Sequence, residues 1–168
     1  MRYTPIAVAL SLIAAISSSV SYSAAPEALD PRAGALLGEG RAAAASGNYN
    51  AAIDAYEAAL AVEPGSVTVL LALADATRNE GLQGKALHYY RVALASDPRN
   101  LTALAGEGMA LAEKGATEKA NRNLARLQTL CGKDCIEAKT LAAAIAKGPS
   151  PRMVAADAVT AKSAVSEN

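Results

Sequence analysis

Apolar and polar positions along this chain follow a helical spacing, and the spacing itself repeats. Ala52, Ile53, Tyr56, Ala59 and Leu60 stand at i, i+1, i+4, i+7 and i+8, one face of a helix over about 50–62. Gly47, Ala52, Tyr56, Ala59 and Pro64 reappear 34 residues later as Gly81, Ala86, Tyr90, Ala93 and Pro98. A degraded third copy in the same register gives Gly115, Ala120, Leu124 and Leu127. A 34-residue period with this pattern predicts stacked helix–turn–helix units. It points to an all-α chain that acts through a binding surface.

The punctuation between apolar runs sets the predicted helix ends. Asp30 and Pro31 open a first helix that runs to about Ser46, with Asp30 as the capping acceptor and Pro31 at the tolerated first position. Gly47 ends it by taking the left-handed conformation that other residues resist. Pro64-Gly65 stops the second helix, and Ser66 caps a third over about 67–80, with Leu70, Leu73, Ala74 and Thr77 inward. Gly81 stops that one; a fourth spans about 84–96 and ends at Asp97-Pro98. Asn100 caps a fifth that reaches about Lys114, and a sixth covers about 117–130. A seventh, about 135–147, carries Leu141, Ala142 and Ile145 as its stripe, with Asp134 and Glu137 spaced as a capping box. Nothing pairs with it afterwards, so it is expected to cover the last repeat face as a cap.

The two ends differ from this middle. Arg2, the apolar run Ile6 to Ile16 and the small polar residues Ser17 to Ser23 follow the order of a secretory signal peptide. The run is shorter than the roughly 20 residues a membrane span needs. Cleavage after Ser23 places Ser21 and Ser23 at the reading positions, whereas cleavage after Ala24 places Tyr22 there; the alternative is an uncleaved amphipathic anchor. No cysteine lies nearby to carry a lipid. These features predict a periplasmic or secreted protein with no stable membrane insertion after cleavage. Residues 148–168, with Pro149, Pro151 and scattered charges, are expected to form a disordered tail.

Composition and charge narrow the function classes. The chain has 16 basic and 16 acidic residues; losing residues 1–23 removes only Arg2 and leaves a net charge of −1 (15 against 16). That balance gives no electrostatic case for nucleic acid or an anionic membrane. Alanine is abundant and the aromatics are all tyrosine. Alanine favours helix and allows close approach, but each one buries little area, so the core is thin. Gly34, Gly38 and Gly40 are expected to let helices approach closely.

These residues resemble the tetratricopeptide repeat (TPR). Leu36, Leu70 and Leu104 match its early large residue in helix A, and Gly40, Ala74 and Gly108 its small residue. In helix B, Ala52, Ala86 and Ala120, Tyr56 and Tyr90, Ala59 and Ala93, and the closing Pro64 and Pro98 also match. The leucine before the small residue is kept only as Leu73, with Glu39 and Glu107 elsewhere, and Gly132 replaces the third proline. The resemblance covers 33–134. It implies a TPR-like α-solenoid of three repeats (33–66, 67–100, 101–134), preceded by a linker and helix start over 24–32 and closed by a capping helix over 135–147. The whole chain also looks like small exported TPR proteins of Gram-negative bacteria, including those attached to pilus and envelope assembly.

By the same resemblance, helix A of each unit lines a concave groove that binds a peptide or protein segment. The groove positions of the family fall on Gly34, Leu37, Arg41 and Ala44; on Thr68, Leu71, Asp75 and Arg78; and on Thr102, Ala105, Met109 and Ala112. This set is small and apolar with three charged points, and it lacks the basic, asparagine-rich clamp with which some TPR proteins hold a C-terminal carboxylate. It suits an apolar segment, with Arg41 or Arg78 available to an acid on the ligand. The bland alternative is an ion-pair ladder of Arg41, Asp75 and Arg78 that keeps the face soluble.

Little chemistry beyond binding is legible. Cys131 and Cys135, the only cysteines, read as a disulfide in an exported protein that fixes the angle of the last helix. Three intervening residues argue against a thioredoxin-like redox pair, and two further zinc ligands are missing nearby. His88, the only histidine, sits beside Tyr89 and Tyr90 on an outward position. No serine or cysteine has a base partner, no glycine loop cradles phosphate, and no carboxylate pair is marked. The expectation is a binding module with no catalytic residues, cofactor or metal. Its rivals are a self-associating oligomer, through the face of Ala42 to Ala45, and an enzyme or small-molecule accessory.

Overall fold

A computed structural model describes residues 29–151; the predicted signal peptide, the linker up to residue 28 and the tail after residue 151 lie outside the described residues. Seven helices occupy that span: α1 Pro31–Ala45, α2 Tyr49–Val62, α3 Val67–Asn79, α4 Gln83–Ser96, α5 Leu101–Glu113, α6 Thr117–Cys131 and α7 Ile136–Lys147. Their ends follow local chemistry. Arg32 N–H donates to Asp30 Oδ1 at 2.8 Å, and Ala103 N–H to Asn100 Oδ1 at 2.9 Å. Gly47, Gly81 and Gly115 take φ of 78°, 91° and 79° just past α1, α3 and α5, where a Cβ would be strained.

The predicted cap of α7 differs. α7 starts one residue later, with Cys135 as its N-cap and no side-chain cap bond. The Asp134–Glu137 capping box is therefore not formed. Asp134 lies outside the helix and instead pairs with Lys139 at 3.2 Å.

Each helix packs on the next, and α1, α3, α5 and α7 also touch one another in turn down the stack. The odd-numbered helices thus form one continuous layer. The repeat is written in burial: Ala52, Ala86 and Ala120, and Ala59, Ala93 and Leu127, are all fully buried. Tyr56 and Tyr90 are buried too, but Leu124 in the third copy is only half-buried. α7 lays Ala138 and Leu141 against Leu104, Ala105 and Leu127 and so covers the last repeat. Ala142, expected in its stripe, is exposed. Among the described residues no helix is long and apolar enough to cross a membrane.

The close contacts are made at a few glycines. A Cβ on Gly40 would stand 2.3 Å from the Tyr56 ring, and one on Gly106 2.2 Å from the Tyr90 ring. Gly108 meets Leu141 in the same way at 2.5 Å. Gly34 and Gly38 have nothing within 4 Å, so of the three α1 glycines only Gly40 serves a close approach.

This separates two classes of glycine by experiment. Gly106→Ala is expected to destabilise the fold by about 1–3 kcal/mol, because the Tyr90 ring has to move within a packed interior. Gly34→Ala is expected to stabilise it by roughly 0.5–1 kcal/mol through helix propensity alone. Urea denaturation midpoints of the two variants should move in opposite directions.

Candidate functional site

The predicted groove positions divide into three environments. Arg41 and Thr68 are exposed on the odd-numbered layer, and Leu71 is half-buried. Asp75, Thr102, Ala105 and Met109 meet around one depression of about 220 Å³, completed by Ile136, Glu137 and Thr140 from α7. Leu37 and Arg78 are placed elsewhere.

Leu37 requires a correction. It is 3% exposed and packs in a cluster with Ala52, Ile53, Tyr56, Val69 and Leu73. Ala33, Leu37 and Gly40 recur at i, i+4 and i+7 on the buried face of α1, so the leucine fills the seam toward α2 and α3. Ala112, at 1% exposure, is likewise interior. Ala105 is only 4% exposed, so it forms the floor of the depression and offers little side chain to a ligand.

Arg78 turns toward the next repeat. Its Nη1 donates to Glu113 Oε1 at 2.6 Å, with side chains 17% and 24% exposed. Burial alone would lower its pKa; the neighbouring Tyr90 oxygen and the Glu113 carboxylate outweigh that and raise it. The guanidinium is thus committed to Glu113. Asp75 accepts a 2.5 Å hydrogen bond from the Tyr90 hydroxyl. The ladder of Arg41, Asp75 and Arg78 is therefore not formed among the described residues, because each of the last two has a partner outside it.

The depression is chemically mixed. Met109 and Ile136 supply apolar surface, and Ile136 is 71% exposed, the most exposed large hydrophobic among the described residues. Asp75 and Glu137 supply the charge, both negative, and no cation lines it. Sequence reasoning missed Ile136, Glu137 and Thr140. The groove register is inherited from repeat to repeat, and α7 has no repeat partner from which to inherit a role. It also missed Tyr90 as the partner of Asp75, since Tyr56 in the first unit has no carboxylate at the matching distance along the chain: the counterpart of Asp75 is Arg41.

The opposite face carries a polar cluster of ordinary kind. Lys85 Nζ lies 2.7 Å from Glu57 Oε1, to which the Tyr89 hydroxyl also donates at 3.2 Å. These groups are exposed and worth roughly 0–1 kcal/mol. His88 sits there as well, exposed and edge-on to Tyr89 with centroids 5.5 Å apart.

Cys131 and Cys135 lie with Cα atoms 5.9 Å apart and their sulfurs adjacent, at the junction of α6 and α7. The Glu137 carboxylate is within 4.8 Å of both sulfurs. These three side chains are the donor set a metal would meet, and it could use both sulfurs only as separate thiolates.

Residues 33–76 match the tetratricopeptide repeat family. No curated protein matches the chain. Among solved structures, the Sgt2 TPR domain of Aspergillus fumigatus is 23% identical with a TM-score of 0.64, over 84% of this chain and 91% of that one. The first TPR of Spaghetti (RPAP3), bound to an HSP90 peptide, is 22% identical with a TM-score of 0.62, over 69% and 91%. The Yersinia enterocolitica type III secretion chaperone SycD, in complex with a peptide of the translocator YopD, is 19% identical with a TM-score of 0.59, over 74% and 92%.

Tyr90 makes the site pH-sensitive in one direction. Its hydroxyl pKa is pushed far up, first by burial and then by the Asp75 carboxylate it donates to. A phenol whose folded-state pKa is raised contributes stability that is whole below the ordinary tyrosine value near 10 and is lost as pH rises above it. Tyr90→Phe is expected to cost about 1–2 kcal/mol at neutral pH through the lost hydrogen bond. It should also show a shallower loss of stability above about pH 10, read from urea unfolding across that range. Parallel alkaline slopes for the two proteins would contradict the assignment. The fold is an all-α TPR-like solenoid of three repeats with a capping helix, and its first repeat carries the TPR sequence pattern itself.

Proposed function

We propose that this chain is a non-enzymatic protein–protein interaction module that binds a peptide or protein segment along its odd-numbered helices, at the depression between α3, α5 and α7. The observation that carries this reading is Ile136, a large aliphatic side chain left 71% exposed at the edge of a concave site that also holds Met109, Asp75 and Glu137. An exposed aliphatic beside uncompensated acids suits a segment with one apolar and one basic residue. That differs from the acidic ligand expected of Arg41 and Arg78, because Arg78 is already paired with Glu113. Two of the similar structures, the first TPR of Spaghetti and the SycD chaperone, are complexes with peptides, which favours the same mode here.

The signal-peptide pattern read from residues 1–23 of the sequence supports action in the periplasm or outside the cell, in the assembly of an envelope complex. There an oxidising environment would hold Cys131 and Cys135 as a disulfide. Self-association through Ala42 to Ala45 is the second reading: Ala42 and Ala45 are exposed and Ala43 and Ala44 half-buried on α1, the end helix of the stack.

Selection from a displayed peptide library is expected to enrich segments pairing a basic with an aliphatic residue. Ile136→Lys should weaken the selected peptides by about tenfold or more without moving the urea midpoint. Enrichment of acidic peptides, or binding unaffected by Ile136→Lys, would overturn the site. Intact mass of the protein recovered from its native cell is expected to match a chain beginning at Ala24 with both cysteines resistant to alkylation. A full-length mass with two alkylated thiols would overturn export.

A further inference from the structure

A second cavity, of about 320 Å³, lies at the C-terminal ends of α3, α5 and α7, lined among others by Arg78, Gln83, Glu113, Lys147 and Ser150. Gln83, the first residue of α4, is 4% exposed. Its Nε2 donates to Glu113 Oε2 at 3.2 Å and to the Arg78 carbonyl at 3.5 Å. Both N–H groups are thereby used, which fixes the amide orientation and leaves Oε1 as the remaining acceptor. That oxygen is buried and has no hydrogen-bond partner among the described residues. The same is true of Arg78 Nε, whose guanidinium otherwise bonds Glu113 and lies beside the Tyr90 oxygen. Arg78 and Gln83 both line the cavity, and each keeps one buried polar atom, a donor and an acceptor, without a partner. Leaving such a group unmatched is costly, and native proteins seldom do so.

Two further observations define what would match them. The lining carries both signs of charge, and its Arg78 and Glu113 are already paired with each other, so the two open positions are one donor and one acceptor. The polar set is also not a requirement of the repeat. The positions equivalent to Arg78 are Ala44 and Ala112, and those equivalent to Gln83 are Tyr49 and Thr117; both other units fold without it. A neutral group that accepts from Arg78 Nε–H and donates to Gln83 Oε1 is an amide. We propose that this cavity is a binding site for a neutral amide, either a peptide unit or an Asn or Gln side chain, held by Arg78 Nε–H and Gln83 Oε1. Its volume fits a short peptide segment. The site stands apart from the depression at Met109 and Ile136, so groove binding and amide binding can fail independently.

The test is an NMR titration of the full-length protein, following the Arg78 Nε–H and Gln83 side-chain resonances. N-acetylglycine N-methylamide supplies peptide units and propionamide a primary carboxamide; sodium acetate and methylammonium chloride serve as controls that only accept or only donate. The expected result is saturable movement of both resonances with one or both amides and little with either ion. A stronger response to propionamide assigns the source to a side-chain amide, and a stronger response to the dipeptide mimic assigns it to main chain. Arg78→Lys removes Nε–H while keeping the charge beside Glu113, and Gln83→Met removes the acceptor at similar volume. Each should weaken amide binding about tenfold. If one variant fails to fold, the other still decides. No movement at the highest soluble amide concentration would mean internal water satisfies both atoms, and would overturn the proposal. Equal movement with acetate would overturn it as well.

Discussion

Direct contact between an aromatic ring and a bare Cα is what the rest of this stack depends on. Tyr56 lies on Gly40 and Tyr90 on Gly106, each at a distance no Cβ could share. The neighbouring interior positions are alanines, fully buried at 52, 59, 86 and 93. Helices this poor in bulk bury little area apiece, so they must come close to gain dispersion contacts. Glycine opposite tyrosine supplies the approach and admits an aromatic ring beside buried leucines such as Leu73 and Leu104. In the third unit that logic changes hands: Leu124 replaces the tyrosine, and Leu141 of the capping helix takes the bare surface at Gly108.

That substitution explains why α7 does more than close the stack. Ala138 and Leu141 complete the core beside Leu104 and Leu127. Anchored there, the first turn of α7 brings Ile136 and Glu137 beside Met109 and Asp75. Its last turn borders the cavity that holds Arg78 and Gln83. One helix thus supplies core at its middle and lines a concavity at each end. Cys131 and Cys135 sit at the joint that sets its angle.

Much of the fold was legible because its signals are local. Asp30, Asn100, Gly47 and Gly81 mark helix ends by chemistry within a few residues, and the observed ends fall within about two residues of the expected ones. The 34-residue period then carries one unit's pattern to the next. The site was legible only where that inheritance holds, as for Asp75, Thr102 and Met109. It broke down for Leu37, whose bulk is drawn into the seam between helices. It broke down for Arg78, whose partner Glu113 lies 35 residues away and has Asn79 as its own repeat counterpart. Ile136 was invisible because an exposed aliphatic at the start of a helix reads the same as a buried one. Only the packing of α7, which no repeat unit dictates, decides between them.

The claim that joins these features is that the face of α3, α5 and α7 holds a partner, while the face of His88 does not. The most direct measurement places a photo-crosslinking residue at Met109 in the native host, with the same residue at His88 as the comparison. Crosslinks to one other protein from Met109 alone are the predicted result. Equal crosslinking from both positions, self-crosslinking alone, or none from Met109 would contradict it.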